Sequence, residues 1–233
     1  MLTVEDLTKH FGAIRALEGV RFTVKRNTVA GVIGPNGSGK TTLLRGLAGL
    51  LPMDSGSIRW EGAPIPAGIR STWIFYAEDA TRPHALLRVA AIVCFYGSVF
   101  HRSRLFCDQI IDRLQLRNWL TARVSDLSKG TAKRLVIAIG LLSTQPVLML
   151  DEPFDGLDLR QTLELIPMLR EIAVQGRTLV LSIHQLRDAE RACDSFLLLN
   201  NGQMTGSGTL SELREFAKCA PGSDLEAVFL ALT

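Results

Sequence analysis

The sequence predicts an α/β protein with a parallel core sheet and an inserted helical lobe. Apolar runs of strand length alternate with helix-length segments towards both ends of the chain, the pattern of a parallel sheet covered by helices. Between them a block of about 60 residues, from Pro83 to about Leu142, keeps helical spacing and holds no convincing strand. The mean hydropathy is positive, which strands buried on both faces supply in part.

Taken in order, "LTVEDL" (2–7), "VRFTV" (20–24) and "VAGVIG" (29–34) read as strands, and "KTTLLRGLAGL" (40–50) reads as a helix. "GSIRWEG" (56–62) and "STWIFYA" (71–77) return to strand character, separated by the Gly/Pro-rich turn "GAPIPAG". After the helical block come a strand (147–151), a helix (about 158–175), a strand (178–183), a helix (185–192) and a strand (195–199). "NNGQ" supplies a hairpin turn before a small C-terminal helical part.

Composition narrows the function classes. Of 233 residues, 47% are hydrophobic and 21% charged, enough for a sizeable core and unlike a disordered chain. The net charge of +3 lacks the concentrated basic stripe of a nucleic-acid binder, so no nucleic-acid partner is expected. Cys94, Cys107, Cys193 and Cys219 are scattered without C-x-x-C spacing and read as reduced cytosolic thiols. The N-terminus has no signal-peptide pattern. The longest apolar stretches, 89–97 and 135–142, fall short of the roughly 20 residues that span a bilayer. The chain is expected to be cytoplasmic and not to cross a membrane.

"GVIGPNGSGKTT" contains G-x-x-x-x-G-K-[ST] from Gly34 to Thr41, after an apolar strand and at the start of a helix. That is the context a phosphate-binding loop requires. Gly34, Gly37 and Gly39 let backbone N–H groups converge on one anion, with Pro35, Asn36 and Ser38 between them. The helix N-terminus adds a favourable dipole. Lys40 brings a charge to the outer phosphates, and the Thr41 hydroxyl can ligate Mg²⁺. The alternative is a Gly-rich strand–helix turn with an exposed lysine. Farther on, "VLMLDEP" (147–153) is an apolar strand ending in two acids. Asp151 is placed to hold Mg²⁺ beside the loop, and Glu152 to polarise the water that attacks the γ-phosphate.

The order "GPNGSGKTT", "LSKGT", "VLMLDEP", "FDGLD", "SIH" resembles the ATP-binding cassette (ABC) ATPases from Phe11 to at least Gly202. The pieces are similar to that family's Walker A loop, signature sequence, Walker B strand, D-loop and switch histidine. The resemblance implies one ABC ATPase domain over 1–233. Its P-loop NTPase core, with a mixed or parallel sheet and an N-terminal antiparallel β part, takes residues 1–79 and 143–233. An α-helical subdomain is inserted at about 80–142.

It also implies roles. Phe11 matches the aromatic that stacks on adenine; the bland alternative is a core phenylalanine. Lys40, Thr41 and Thr42 match phosphate and Mg²⁺ contacts, and His184 matches the histidine that senses the γ-phosphate. Asp158 matches the D-loop acid that communicates across a dimer. Ser128 and Gly130 match the signature residues that close on the nucleotide of a partner subunit, where a plain N-cap would explain the serine alone. The cofactors implied are ATP and Mg²⁺.

Two departures stand out. The signature usually reads L-S-G-G-Q, and here Lys129 and Thr131 occupy its third and fifth positions. Lys129 either adds charge near the γ-phosphate or points to solvent. Where the family often has a glutamine after the strand "TWIFYA", the chain has "AEDA", giving Glu78 or Asp79. The metal set expected is Thr41, Asp151 and Asp79, with Glu78 the other occupant of that position.

The function expected is the ATP-hydrolysing subunit of a membrane transporter of exporter-like type, peripheral on the cytoplasmic face of the plasma membrane. Its partners would be a separate transmembrane permease subunit and a second cassette, in a homodimer or heterodimer. The apolar segment "LLRVAAIVCFYGSVF" with "HRSR" after it is either the permease groove of the helical lobe or that lobe's own small core. The alternative function is a soluble ABC ATPase of cofactor assembly or another non-transport process.

Overall fold

A computed structural model describes residues 1–79 and 84–233. The expected start of the helical block at Pro83 lies outside the described residues. In chain order the elements are β1 (Leu2–Phe11), β2 (Ile14–Val24), β3 (Val29–Ile33), α1 (Lys40–Ala48), β4 (Ser55–Trp60), the two-residue β5 (Ala63–Pro64) and β6 (Ile74–Ala77). Next come α2 (Val89–Val99), α3 (Arg104–Arg113), α4 (Lys129–Leu142), β7 (Val147–Asp151), α5 (Leu159–Val174) and β8 (Thr178–Ile183). The chain ends with α6 (Leu186–Ala192), β9 (Ser195–Asn200), β10 (Gln203–Gly208), α7 (Leu210–Phe216) and α8 (Leu225–Leu232).

Two sheets form. One is six-stranded in the order β10-β9-β3-β8-β7-β6, parallel throughout except for β10, which returns antiparallel on β9. The other is antiparallel, in the order β2-β1-β4-β5. Every residue of β3, β7 and β8 is buried. Side-chain alternation then splits each strand between two cores. Val147 and Met149 of β7 face a core shared with α1 and the antiparallel sheet, while Leu148 and Leu150 face one shared with α2 to α6. The six-stranded sheet is therefore the middle layer of the molecule, and its strand ends are where polar groups can reach solvent.

The structure departs from the sequence reading in three places. β1 and β2 run longer than "LTVEDL" and "VRFTV", because their added residues pair with each other across bulges rather than alternating cleanly. "STWIFYA" is a strand only from Ile74, since residues 67–72 coil into a 3₁₀ turn. Buried Arg70 holds that turn by donating to Gly46 O at 2.6 Å and Ile65 O at 3.2 Å. The hairpin at "NNGQ" leads into β10, a strand whose apolar content is too thin to announce it.

Helix α4 ties the helical block to the sheet. It packs against α2 and α3 on one side and against β6 and β7 on the other. The carbonyls that end a helix have no partner within it, and two arginines supply one here. Arg102 donates to Leu142 O (2.7 Å) and Ser143 O (2.8 Å). Arg177 donates to Gly140 O (3.0 Å), Gln145 O (3.1 Å) and Ser143 Oγ (2.9 Å). Burial pulls the Arg177 guanidinium down to about 10, which leaves it charged at neutral pH. Arg177→Ala leaves buried acceptors unpaired at roughly 1–3 kcal/mol apiece. A loss of about 3 kcal/mol in urea unfolding is expected, and a loss below about 1 kcal/mol would show that the clamp contributes little.

Candidate functional site

The loop from Gly34 to Gly39 joins the end of β3 to α1. Gly34 is there for space: a Cβ would meet Leu199 O at 2.1 Å and Ser38 Oγ at 2.5 Å. Gly39 is there for conformation, capping α1 at φ 106° in the left-handed region that side chains disfavour. Among the described residues, buried Ser38 Oγ has no hydrogen-bond partner. Lys40 is also buried, and its ammonium donates to the carbonyls of Gly34 (2.7 Å) and Pro35 (3.2 Å). A helix N-terminus without a side-chain cap, an orphaned hydroxyl and a lysine held on backbone oxygens make a donor set that fits an anion.

This loop floors a cleft of about 650 Å³. Asn36, Gly37, Gly39, Lys40, Thr41 and Thr42 line one side, and Glu78, Asp79, Asp151 and Glu152 line another. Ile14, Arg15, Ala16 and Asn201 complete it. Phe11, half exposed at the end of β1, is not among the lining residues and sits under the Lys9 ammonium, 5.4 Å from its ring centre. The exposed apolar wall beside the phosphate loop is instead Ile14, 68% exposed.

Parallel pairing of β7 with β8 sets Asp151 opposite Ser182. Asp151 is buried and accepts from Ser182 Oγ and from Tyr76 OH (2.9 Å). Burial, and then the Asp151 charge, push the Tyr76 phenol well above its ordinary value, so it stays a donor. Glu152 turns off the strand at φ 48°, with its N–H donating to Ser182 Oγ (2.9 Å) and Ser182 O (3.2 Å). A non-glycine residue in the left-handed region is held there by its surroundings. Its carboxylate Oε2 accepts from the His184 backbone N–H (3.2 Å) and meets His184 Nδ1 at 2.7 Å. A carboxylate only accepts, so Nδ1 carries the proton and Nε2 is the atom left for other partners. Asp151 and Glu152 thus line one strand-end edge of the cleft, and His184, not itself a lining residue, stands behind Glu152.

The two acids of "AEDA" go to different cations. Glu78 pairs with Arg45 of α1, whose charge it reinforces. Asp79 pairs with Lys133 of α4, a buried lysine that also donates to Asp151 O at 3.3 Å. Asp79, expected at the metal, has its carboxylate engaged by Lys133. Among the described residues no three His, Cys, Asp or Glu side chains converge as a metal site.

Ser128, Gly130 and Asp158 do not line the cleft. Ser128 is exposed and caps α4, accepting from Thr131 N at 3.2 Å. Asp158 caps α5, accepting from Gln161 N at 2.8 Å. Gly130 has a reason within this chain: a Cβ would lie 2.6 Å from Gly156 O. Close packing of the α4 start on the 154–158 loop thus demands the glycine, which a cap alone left unexplained. Lys129 stays on the solvent side, its side chain 63% exposed, and its ammonium pairs there with Asp155 at 2.6 Å. That hydrogen bond holds the Asp155 carboxyl below the usual carboxylate range. Arg45, Tyr76, Lys133 and Ser182 were invisible as site residues in sequence, since each gains its role from a partner at least 30 residues away.

The family described as ABC transporter matches the chain over residues 17–155. The ABC-type transporter ATP-binding protein EcsA of Bacillus subtilis (strain 168) is 33% identical, over 92% of this chain and 90% of its own length. The Nod factor export ATP-binding protein I of Burkholderia thailandensis is 30% identical, over 91% of this chain and 71% of its own. A solved ATP-binding subunit of an ABC transporter superposes with a TM-score of 0.90 at 28% identity, covering 100% of this chain and 99% of that one.

The glycines give a graded test. Gly34→Ala forces the loop away from Leu199 O, whereas Gly37→Ala meets nothing within 4 Å and bears only its φ of 81°. Calorimetric titration with an ATP analogue is expected to show no binding for Gly34→Ala and a loss of about tenfold or less for Gly37→Ala, in line with a backbone cost near 1 kcal/mol. Equal affinities in the two variants would rule out the crowding argument.

Proposed function

The chain belongs to the ABC transporter family of ATP-binding domains, and from that premise we propose that it binds and hydrolyses MgATP to drive a membrane transporter. The observation that carries the hydrolytic reading is the hydrogen bond between Glu152 and His184 at the edge of the phosphate cleft. Lys40, drawn off the Gly34 and Pro35 carbonyls, is the cation for the outer phosphates. Backbone N–H groups of residues 34–42 cradle the chain of phosphates, with Thr42 on the α1 side. Thr41 and Asp151 are the residues that would hold Mg²⁺, the Asp79 carboxylate being taken by Lys133, and the ion would supply charge neutralisation at the phosphate oxygens. Glu152 orients the attacking water and accepts its proton, while His184 holds the Glu152 carboxylate and offers Nε2 towards the γ-phosphate. Ile14, and Phe11 if β1 shifts, face the base.

A second cassette completes the site. Ser128 and Gly130 stand at the N-terminus of α4, outside the cleft of their own chain. A helix end and an exposed serine so placed suit the phosphates of a neighbour's nucleotide, and Asp158 ends the 154–158 loop on which Gly130 packs. Whether the neighbour is a copy or a related subunit is set by the transporter.

The permease is a separate polypeptide in this reading. No helix among the described residues is long and apolar enough to cross a membrane. The helical block presents exposed Leu86 (78%), Leu87, Phe95, Val99 and Leu105 (70%), large apolar side chains of the kind that gather at interaction faces. That favours a docking face for the membrane partner over a private core, and a peripheral location on the cytoplasmic side. EcsA is named as an ABC-type transporter ATP-binding protein and the other relative as a Nod factor export ATP-binding protein, which favours transport over cofactor assembly. The second name favours export.

Two measurements test the reading. Glu152→Gln is expected to keep ATP binding and slow turnover by at least about 10²-fold, a typical size for a lost general base; turnover within a few-fold of wild type removes Glu152 from the mechanism. In the same variant, MgATP is expected to shift the chain from monomer to dimer on size-exclusion chromatography, and Ser128→Arg to abolish the shift. A dimer that survives Ser128→Arg would place the signature outside the interface.

A further inference from the structure

Four carboxylates line the cleft that is to receive a polyanion. Two of them have roles there, Asp151 at the metal and Glu152 at the water. Glu78 and Asp79 are surplus negative charge, and an unscreened carboxylate beside a triphosphate opposes binding. Each has been given a cation. The Glu78–Arg45 pair is open to water on the arginine side, with the Arg45 side chain 49% exposed, and water screens such pairs heavily. The Asp79–Lys133 pair differs, because the Lys133 side chain is only 5% exposed.

Lys133 does more than cancel charge. Its ammonium donates both to Asp79 and to the backbone carbonyl of Asp151, so it sits at the end of the cleft where Asp151 and Glu152 lie. It is carried by α4, one turn after Lys129, and Lys129 grips Asp155. Residues four apart share a helix face. That face of α4 therefore docks on the core through two lysine–carboxylate pairs, one inside the cleft mouth and one outside it.

We infer that Lys133 is a positioning residue for triphosphate binding: it holds the Asp79 carboxylate against α4 and neutralises it, so that the γ-phosphate end of the cleft tolerates an acid. The inference rests on the nucleotide reading given above. A lysine that merely supported the fold would act on every ligand alike. One that masks a charge at the γ end acts on a triphosphate and spares a diphosphate.

The test uses the full-length chain, titrated calorimetrically with MgAMPPNP and with MgADP, alongside urea unfolding of each variant. Lys133→Met is expected to weaken MgAMPPNP binding by about tenfold and MgADP binding by less than about threefold. Lys133→Arg keeps wild-type behaviour, because a cation is retained. The double variant Lys133→Met with Asp79→Asn removes both charges and is expected to return MgAMPPNP affinity to within about threefold of wild type. If Lys133→Met does not fold, Asp79→Asn decides alone: an unchanged or tighter MgAMPPNP affinity supports the inference, and a weaker one overturns it. Equal losses for both nucleotides without rescue in the double variant, or no loss at all, also overturn it. A wild-type chain that binds neither nucleotide sinks the nucleotide reading and this inference together, whereas a wild type that binds both while Lys133→Met matches it sinks the inference alone.

Discussion

Strands β3, β7 and β8 are buried on both faces from end to end, and the rest of the molecule follows from that constraint. A charged group cannot sit in the middle of such a strand without a partner, so the chain places its polar chemistry at the carboxyl ends. Gly34 follows β3, Asp151 ends β7, and His184 follows β8. Parallel pairing sets Asp151 level with Ser182, so three loops distant in sequence open at one edge. This is the usual place for a ligand in an open parallel sheet. Here its consequence is chemical: the glycine loop, Asp151 and the Glu152–His184 pair all come off the ends of adjacent strands.

What sequence alone made legible divides along the same line. The strands were readable because burial on both faces forces continuous apolar runs, and the phosphate loop because its glycines answer to backbone geometry that no other residue satisfies. Asp151, Glu152 and His184 were readable as strand-end polar residues, and the family resemblance gave them roles. The limits were equally physical. β1 and β2 are irregular because bulges interrupt their alternation, and a 3₁₀ turn pinned by a buried arginine has no periodic signature. Lys129 and Lys133 look like ordinary surface residues of a helix, and nothing local tells that each will meet a carboxylate. The glycine of "LSKGT" shows the reverse hazard. Its match to a phosphate-facing motif is real, yet packing against Gly156 O requires it whether or not a nucleotide ever approaches.

Electrostatics in the cleft are arranged in layers. Asp151 is satisfied by neutral hydroxyls, from Tyr76 and Ser182, which leaves its charge available to a metal. Glu152 is held by the edge of an imidazole and an amide, neither of them a carboxylate's full cationic partner. Glu78 and Asp79 are matched with full cations, which withdraws them from the field that a polyphosphate feels. Similar side chains are thus separated into working and silenced groups by the choice of partner alone.

The clamp on the far end of α4 has a mechanical side. The helix holds 14 residues, a rod about 21 Å long at 1.5 Å per residue. Arg177, just before β8, fastens one end to the sheet, and Arg102 ties the same end to the α2–α3 connection, so that end is a pivot. A tilt of about 5° there sweeps Ser128 through about 2 Å at the other end of such a rod. That exceeds the tolerance of a hydrogen bond, which spans only about half an ångström between optimum and loss. The leverage means that the position of Ser128 is gauged at the opposite end of the helix, by how firmly two guanidinium groups grip a handful of carbonyl oxygens.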